Sequence, residues 1–222
     1  MISKNIKVGM LAMLLIIPTF VFLFLQFFGD NHYTIKTYYP LDVKNNNGVF
    51  DTTFYQLKNF SLTNQENKKI DFYQESEGKY TVLNFFFSRC PGICPKITSQ
   101  MARVQERFKE SPDISLLSVT VDPEFDTVGV LKNYAKRYAV DSKKWNLLTG
   151  DKMDIFNLGF YGVKLPADTI DKTLHSERVV LIDKNKHIRG YYNGTKPEEI
   201  DRLMTEISIL QYEDKNHGNS SK

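Results

Sequence analysis

The sequence predicts an α/β fold, a mixed sheet flanked by helices and preceded by one N-terminal transmembrane helix. Three observations predict it. Residues 8–28 carry no charged side chain. Residues 81–87 and 114–121 are continuous apolar runs, the pattern of strands buried on both faces. Segments with helix-spaced apolar positions alternate with them, as helices packed on a largely parallel sheet would.

Of the 21 residues in 8–28, 17 are apolar. As a helix at about 1.5 Å per residue they rise about 31 Å, matching a hydrocarbon core of about 30 Å. Pro18 is tolerated in such a span. Lys4 and Lys7 precede the run, so residues 1–7 are expected in the cytoplasm and the rest outside. A cleavable signal would have a shorter apolar region and end in small residues. Here the run ends Leu25-Gln26-Phe27-Phe28-Gly29-Asp30, so an uncleaved anchor is expected. No Arg-rich amphipathic presequence precedes it, which favours a bacterial inner membrane, single-pass, with the C-terminal domain facing the periplasm or outside.

Residues 29–50 are polar, with an Asn run at 45–47, and read as a linker. Residues 51–210 are long enough for one sizeable core. Residues 211–222 are polar and read as a disordered tail. The formal charge of +3 comes mostly from the anchor's flank: without Lys4 and Lys7, 27 basic residues face 26 acidic ones. No basic block stands out, which argues against a nucleic-acid partner.

Within the domain, 60–63 and 70–72 flank a turn at 64–69, a hairpin. Strand 81–87 leads to a helix at 95–109, with Ile97, Met101, Val104 and Phe108 on one face. Strand 114–121 leads to a helix at 127–138 with Val130, Leu131, Tyr134 and Tyr138 inward. A short strand at 146–149 precedes a helix at 151–160. Strands 178–182 and 188–192 flank a turn at 183–186, and a helix at 197–210 closes the chain with Pro197 in its first turn. A mainly parallel centre followed by an antiparallel pair and a last helix is a thioredoxin-like layout. A Rossmann reading lacks G-x-G-x-x-G after the first buried strand.

The first buried strand runs into Ser88-Arg89-Cys90-Pro91-Gly92-Ile93-Cys94-Pro95. Open α/β sheets place their sites at this end of a strand. Pro91 and Pro95 bias both cysteines away from helical geometry, so Pro95 reads as the first helical residue and Gly92 as the turn. A helix N-terminus favours thiolate, and Arg89 stands beside the pair. Thiolates serve redox exchange or a soft metal. A structural disulfide is the plainer alternative, but so short a loop gains little chain entropy by closure.

His32, His187 and His217 fall in linker, turn and tail and read as solvated. His175 precedes strand 178–182, after the loop 167–172, and is expected at the same sheet edge as the thiols. Asp122 follows the second buried strand at that edge and is a candidate for orienting His175 or a nearby donor, while Asp126 or Thr127 reads as a helix cap. Two thiolates and one imidazole form a soft, low-coordinate set suited to Cu(I), and with a further ligand to Cu(II). Zinc would need a fourth ligand.

The anchor, NFFFSRCPGICPKIT (84–98), SVTVDPEFDT (118–127) and LHSERVVLIDKNKHIRGYYNG (174–194) together resemble the SCO (SenC) proteins over about residues 55–210. The resemblance implies a thioredoxin-like domain with copper on Cys90, Cys94 and His175. It implies a metallochaperone that matures the binuclear copper centre of cytochrome c oxidase, by delivering copper or by reducing the acceptor's cysteines. The implied partners are the copper-centre subunit of the oxidase and copper donor or thiol reductant proteins. Gly92 and Leu174 stand where the family often has acidic residues. The alternative is an extracytoplasmic thiol–disulfide oxidoreductase that does not depend on copper. Such proteins usually carry C-x-x-C with a proline opposite, whereas no proline occurs here between Pro166 and Pro197. A peroxidase site resembles P-x-x-x-T-x-x-C, and Phe87 stands at the threonine position.

Overall fold

A computed structural model describes residues 4–28, 35–46, 49–168, 173–174 and 176–219. The chain forms two units, one up to Thr34 and one from Ile35 on. In the first, Lys4–Phe28 is a single helix, α1, that runs through Pro18. Its described side chains, residues 9–24, are all exposed and rise about 24 Å as a helix. Among the described residues no helix is long and apolar enough to cross a membrane. The expected span over 8–28 is therefore helical, but its crossing of a bilayer is not carried by the structure.

The second unit is built on a seven-stranded sheet. Its strands are β3 (Ser61–Asn64), β4 (Lys69–Asp71), β5 (Tyr80–Phe86), β6 (Ile114–Thr120), β7 (Trp145–Thr149), β10 (Arg178–Ile182) and β11 (Ile188–Asn193). The order is β11-β10-β5-β6-β7-β3-β4. Only β5, β6 and β7 run parallel, while the neighbours on both sides are antiparallel. The parallel pairs are joined through α3 (Ile93–Arg107) and α4 (Val128–Arg137). A short helix, α2 (Phe72–Glu75), precedes β5. Another, α5 (Lys152–Asn157), follows β7 and continues into a π-helical turn, Leu158–Gly162.

Period-two alternation divides the sheet's side chains between two cores. Val82, Leu116, Leu147 and Val179 face α3 and α6 (Pro197–Asn219), against Ile97, Met101, Ile200 and Leu203. Leu83, Leu117, Leu148 and Val180 face the other way, against Leu57, Ile155 and Leu158. Each fully buried aliphatic side chain of this kind contributes about 1.5–3 kcal/mol. Two polar residues in the apolar runs are buried but satisfied: Ser118 donates to Asn84 at 2.5 Å, and the Trp145 indole donates to Ser118 at 2.8 Å.

Four features differ from the sequence reading. The second half of the expected linker holds β1 (Pro40–Asn46) and the start of β2 (Val49–Phe54), an antiparallel pair that runs on into the expected domain. Ahead of it the Tyr38 N–H donates to the Ile188 carbonyl at 2.9 Å, and Arg189 holds the Ile35 carbonyl at 2.7 Å. The expected tail from 211 is helical to Asn219, because Tyr80 and Lys184 both hold Asp214. The loop 167–172 opens on β8 (Ala167–Asp168), paired with β9 (Thr173–Leu174). The helix expected at 95 starts at Ile93.

Candidate functional site

β5 ends at Phe86, and the chain turns through Ser88 and Arg89 into the thiol pair. Cys90 is half-buried and Cys94 is 4% exposed, and both thiols are free. Gly92 occupies the N-cap of α3, so Cys94 lies within the first turn and Pro95 directly after it. This corrects the placement of Cys94 in the preceding loop, where Cys90 does lie. A first-turn residue has no intrahelical acceptor for its N–H, so proline costs nothing there, and burial of Cys94 outweighs the pre-proline bias.

The thiols differ in environment. Burial pushes the Cys90 thiol up, but the N–H groups of Cys94, Gly92 and Ile93 and the Cys94 thiol together hold it below its ordinary value. Burial, helped by the neighbouring Cys90, pushes the Cys94 thiol up to about 12. Cys90 is thus the more acidic of the two thiols, and Cys94 the one that keeps its proton.

Arg89 does not serve the thiols as expected. Its Nε donates to Asp122 Oδ2 at 2.8 Å, and its guanidinium lies 4.6 Å from the Phe125 ring centre. Asp122 is therefore paired with Arg89. His175 lies outside the described residues. Ser176 and Glu177, which follow it in the chain, line a cavity of about 250 Å³ together with Phe87, Ile93, Cys94 and Val121. Among the described residues no three His, Cys, Asp or Glu side chains cluster as a metal site.

Asp126 was legible only as a helix cap, yet Thr127 takes the N-cap of α4 and Asp126 is fully buried. It accepts the Ser88 main-chain N–H at 3.0 Å and the hydroxyls of Ser88 and Thr120. Thr120 in turn accepts the Asp122 N–H at 3.0 Å. The thiol loop and the loop after β6 are fastened to one carboxylate. Behind Cys94, the Thr98 hydroxyl lies 2.8 Å from both the Cys94 carbonyl and the Tyr134 hydroxyl. The sequence signals for Asp126 were its place just ahead of a helix, which capping explains equally well, and its place in the segment SVTVDPEFDT (118–127).

A family model described as SCO1/SenC matches residues 52–208. Among solved structures, a SCO1/SenC family lipoprotein from Bacillus anthracis str. Ames is 28% identical, with TM-score 0.63, covering 71% of this chain and 95% of that one. BsSco, described as a member of the Sco family of cytochrome c oxidase assembly proteins, is 25% identical with TM-score 0.61, covering 70% and 92%. Arabidopsis thaliana ScoI, described with copper bound, is 24% identical with TM-score 0.57, covering 71% and 99%, a likeness of fold alone. With the family model spanning most of the chain and the same helix-flanked sheet around the thiol loop, this protein belongs to the SCO1/SenC family.

Proposed function

We propose that this protein is a membrane-anchored copper-binding protein that assists assembly of the binuclear copper centre of cytochrome c oxidase. The observation that carries the reading is the free thiol pair at the start of α3, one sulfur below the ordinary thiol value and the other well above it. Family membership supports it, as do relatives described as an oxidase assembly protein and as copper-bound. Cys90, Cys94 and His175 are the proposed copper ligands. The cavity shared by Cys94 with Ser176 and Glu177, next in sequence to His175, supports that set. Copper is cargo here, and two sulfurs with one imidazole nitrogen favour Cu(I). The uncharged run in 8–28 supports an anchor that holds the domain outside a bacterial inner membrane.

The same thiols can reduce an acceptor disulfide. The Cys90 thiolate attacks one acceptor sulfur, the first acceptor thiolate leaves, and a mixed disulfide forms. Cys94 gives up its proton and attacks the Cys90 sulfur, which releases the second acceptor thiolate. Two electrons have then passed to the acceptor, and an external thiol reductant must reopen the Cys90–Cys94 disulfide. The unequal thiols support this chemistry with or without copper, so a copper-independent thiol–disulfide oxidoreductase is the second reading.

Anaerobic titration of the reduced full chain in detergent with Cu(I), against a competing chelator, tests the proposal. One copper per chain is expected, with two sulfur neighbours and one nitrogen neighbour by K-edge absorption. His175→Ala should weaken binding by more than about tenfold. Wild-type affinity in His175→Ala with disulfide exchange intact would select the second reading.

A further inference from the structure

A second site lies apart from the thiols, where β3 meets α5. We propose that the groove between residues 55–62 and the α5 π-turn binds an extended, acidic peptide segment of a partner protein, which adds as a strand beside Ser61.

The main chain supplies the first argument. β3 pairs with β4 through Ser61, Leu62 and Thr63, but with β7 only through Thr63 and Asn64. The Phe72 N–H donates to the Phe60 carbonyl and the Asn64 N–H to the Lys68 carbonyl. Residues 60, 62 and 64 therefore turn their main-chain groups toward β4. Alternation turns the N–H and carbonyl of Ser61 the other way, toward the groove, because β7 has already ended at Thr149. Among the described residues no main-chain partner meets them there. A half-buried strand segment with an open edge beside a helix is the setting in which extended peptides add a strand.

The groove supplies the second argument. It encloses about 450 Å³, within the usual range for ligand sites, over a floor that includes Leu57, Leu62 and Leu158. Tyr55 and Tyr161 line it as well. One apolar side chain of an added strand would enter this floor while its neighbours pointed outward.

Charge decides the partner's chemistry. Lys58 and Lys164 both line the groove, against the single acid Asp154. Among the described residues neither lysine has a carboxylate within ion-pair distance. Lys164 holds φ +58°, a region uncommon for any residue but glycine, and its Nζ lies 4.7 Å over the Tyr55 ring. A π-helical turn, Leu158–Gly162, forms the same wall, and such turns often mark functional positions. Alternating apolar and acidic residues on the added strand match this lining.

The test uses the reduced full chain in detergent and a fluorescein-labelled peptide of alternating valine and glutamate, read by anisotropy. Two control peptides carry lysine for glutamate, or N-methyl groups on the amides that would pair with Ser61. Saturable binding of the acidic peptide is expected, weakened about tenfold or more in Lys164→Glu and in Ser61→Pro, with Cu(I) binding unchanged in both. Hydrogen exchange at the Ser61 amide should slow with the peptide present. Proline at Ser61 removes only the outward N–H, which edge positions tolerate; if that variant misfolds, Lys164→Glu and the N-methylated peptide carry the test. Absence of binding overturns the proposal, as does equal binding of either control peptide. So does self-association of the chain that shuts the peptide out, since the occupant would then be a second copy. None of these outcomes bears on copper, so failure here leaves the thiol site's role standing.

Discussion

Asp126 ties Ser88 to the end of β6: a fully buried carboxylate accepts the Ser88 N–H at 3.0 Å from beneath the thiol loop. Thirty-eight residues separate the two in sequence. Asp126→Ala leaves the Ser88 N–H and two hydroxyls without their acceptor, which costs about 3 kcal/mol. The urea midpoint of the domain should fall with the slope unchanged. A loss under about 1 kcal/mol would show that water replaces the carboxylate.

The two thiols should alkylate in order. Cys90 lies below the ordinary thiol value and Cys94 is pushed up to about 12, so iodoacetamide near neutral pH should label Cys90 first. Mass spectrometry after partial labelling reads the order. Cys94→Ser should shift the Cys90 rate profile, because the Cys94 thiol is one of the groups that lowers it. Arg89→Ala should leave the profile in place, because that guanidinium is committed to Asp122. Equal labelling of both thiols in the wild type would contradict the assignment of Cys90 as nucleophile.

The end of α6 should fray in acid. Partial burial pushes the Asp214 carboxyl up, but the Tyr80 hydroxyl and the Lys184 ammonium more than offset it and hold it below the usual carboxylate value. A depressed value means stability that is present above the unfolded-chain value and is lost as pH falls through the folded one. Amide exchange in the last turns of α6 should therefore accelerate as the pH is lowered into the carboxylate range. Asp214→Asn should show that faster exchange already at neutral pH and lose the acid dependence.

Gly190 has no room for a methyl group. A Cβ there would lie 2.3 Å from the Tyr192 hydroxyl, which is pinned to Glu206 at 2.5 Å inside the core. Gly190→Ala should destabilise the domain by about 1–3 kcal/mol, the usual range for overpacking. Thermal unfolding measures it. Adding Tyr192→Phe, which frees the ring tip, should recover part of the loss.

Much of the fold was legible because it rests on local periodicity. The buried runs at 81–87 and 114–121 became β5 and β6 within a residue at each end, and the stripe of Ile97, Met101 and Val104 faces the core as its spacing required. Elements without such a pattern were missed. Residues 40–54 carry only the short alternation Leu41-Asp42-Val43-Lys44, whose apolar side chains stay exposed, so no buried face marked their pairing as β1 and β2. The turns of α6 past Leu210 depend on Tyr80 and Lys184, residues far away in sequence.

The sequence by itself determined the family motifs, the thiol loop at the end of a buried strand and the alternation that builds two cores. Tertiary structure alone decided that Cys94 belongs to the helix, that Arg89 serves Asp122 and that Asp126 anchors the loop. It also left the Ser61 edge open. The reason is one of range. Periodicity records which face of an element is buried, whereas a charged or polar side chain takes whichever partner the strand order brings to it.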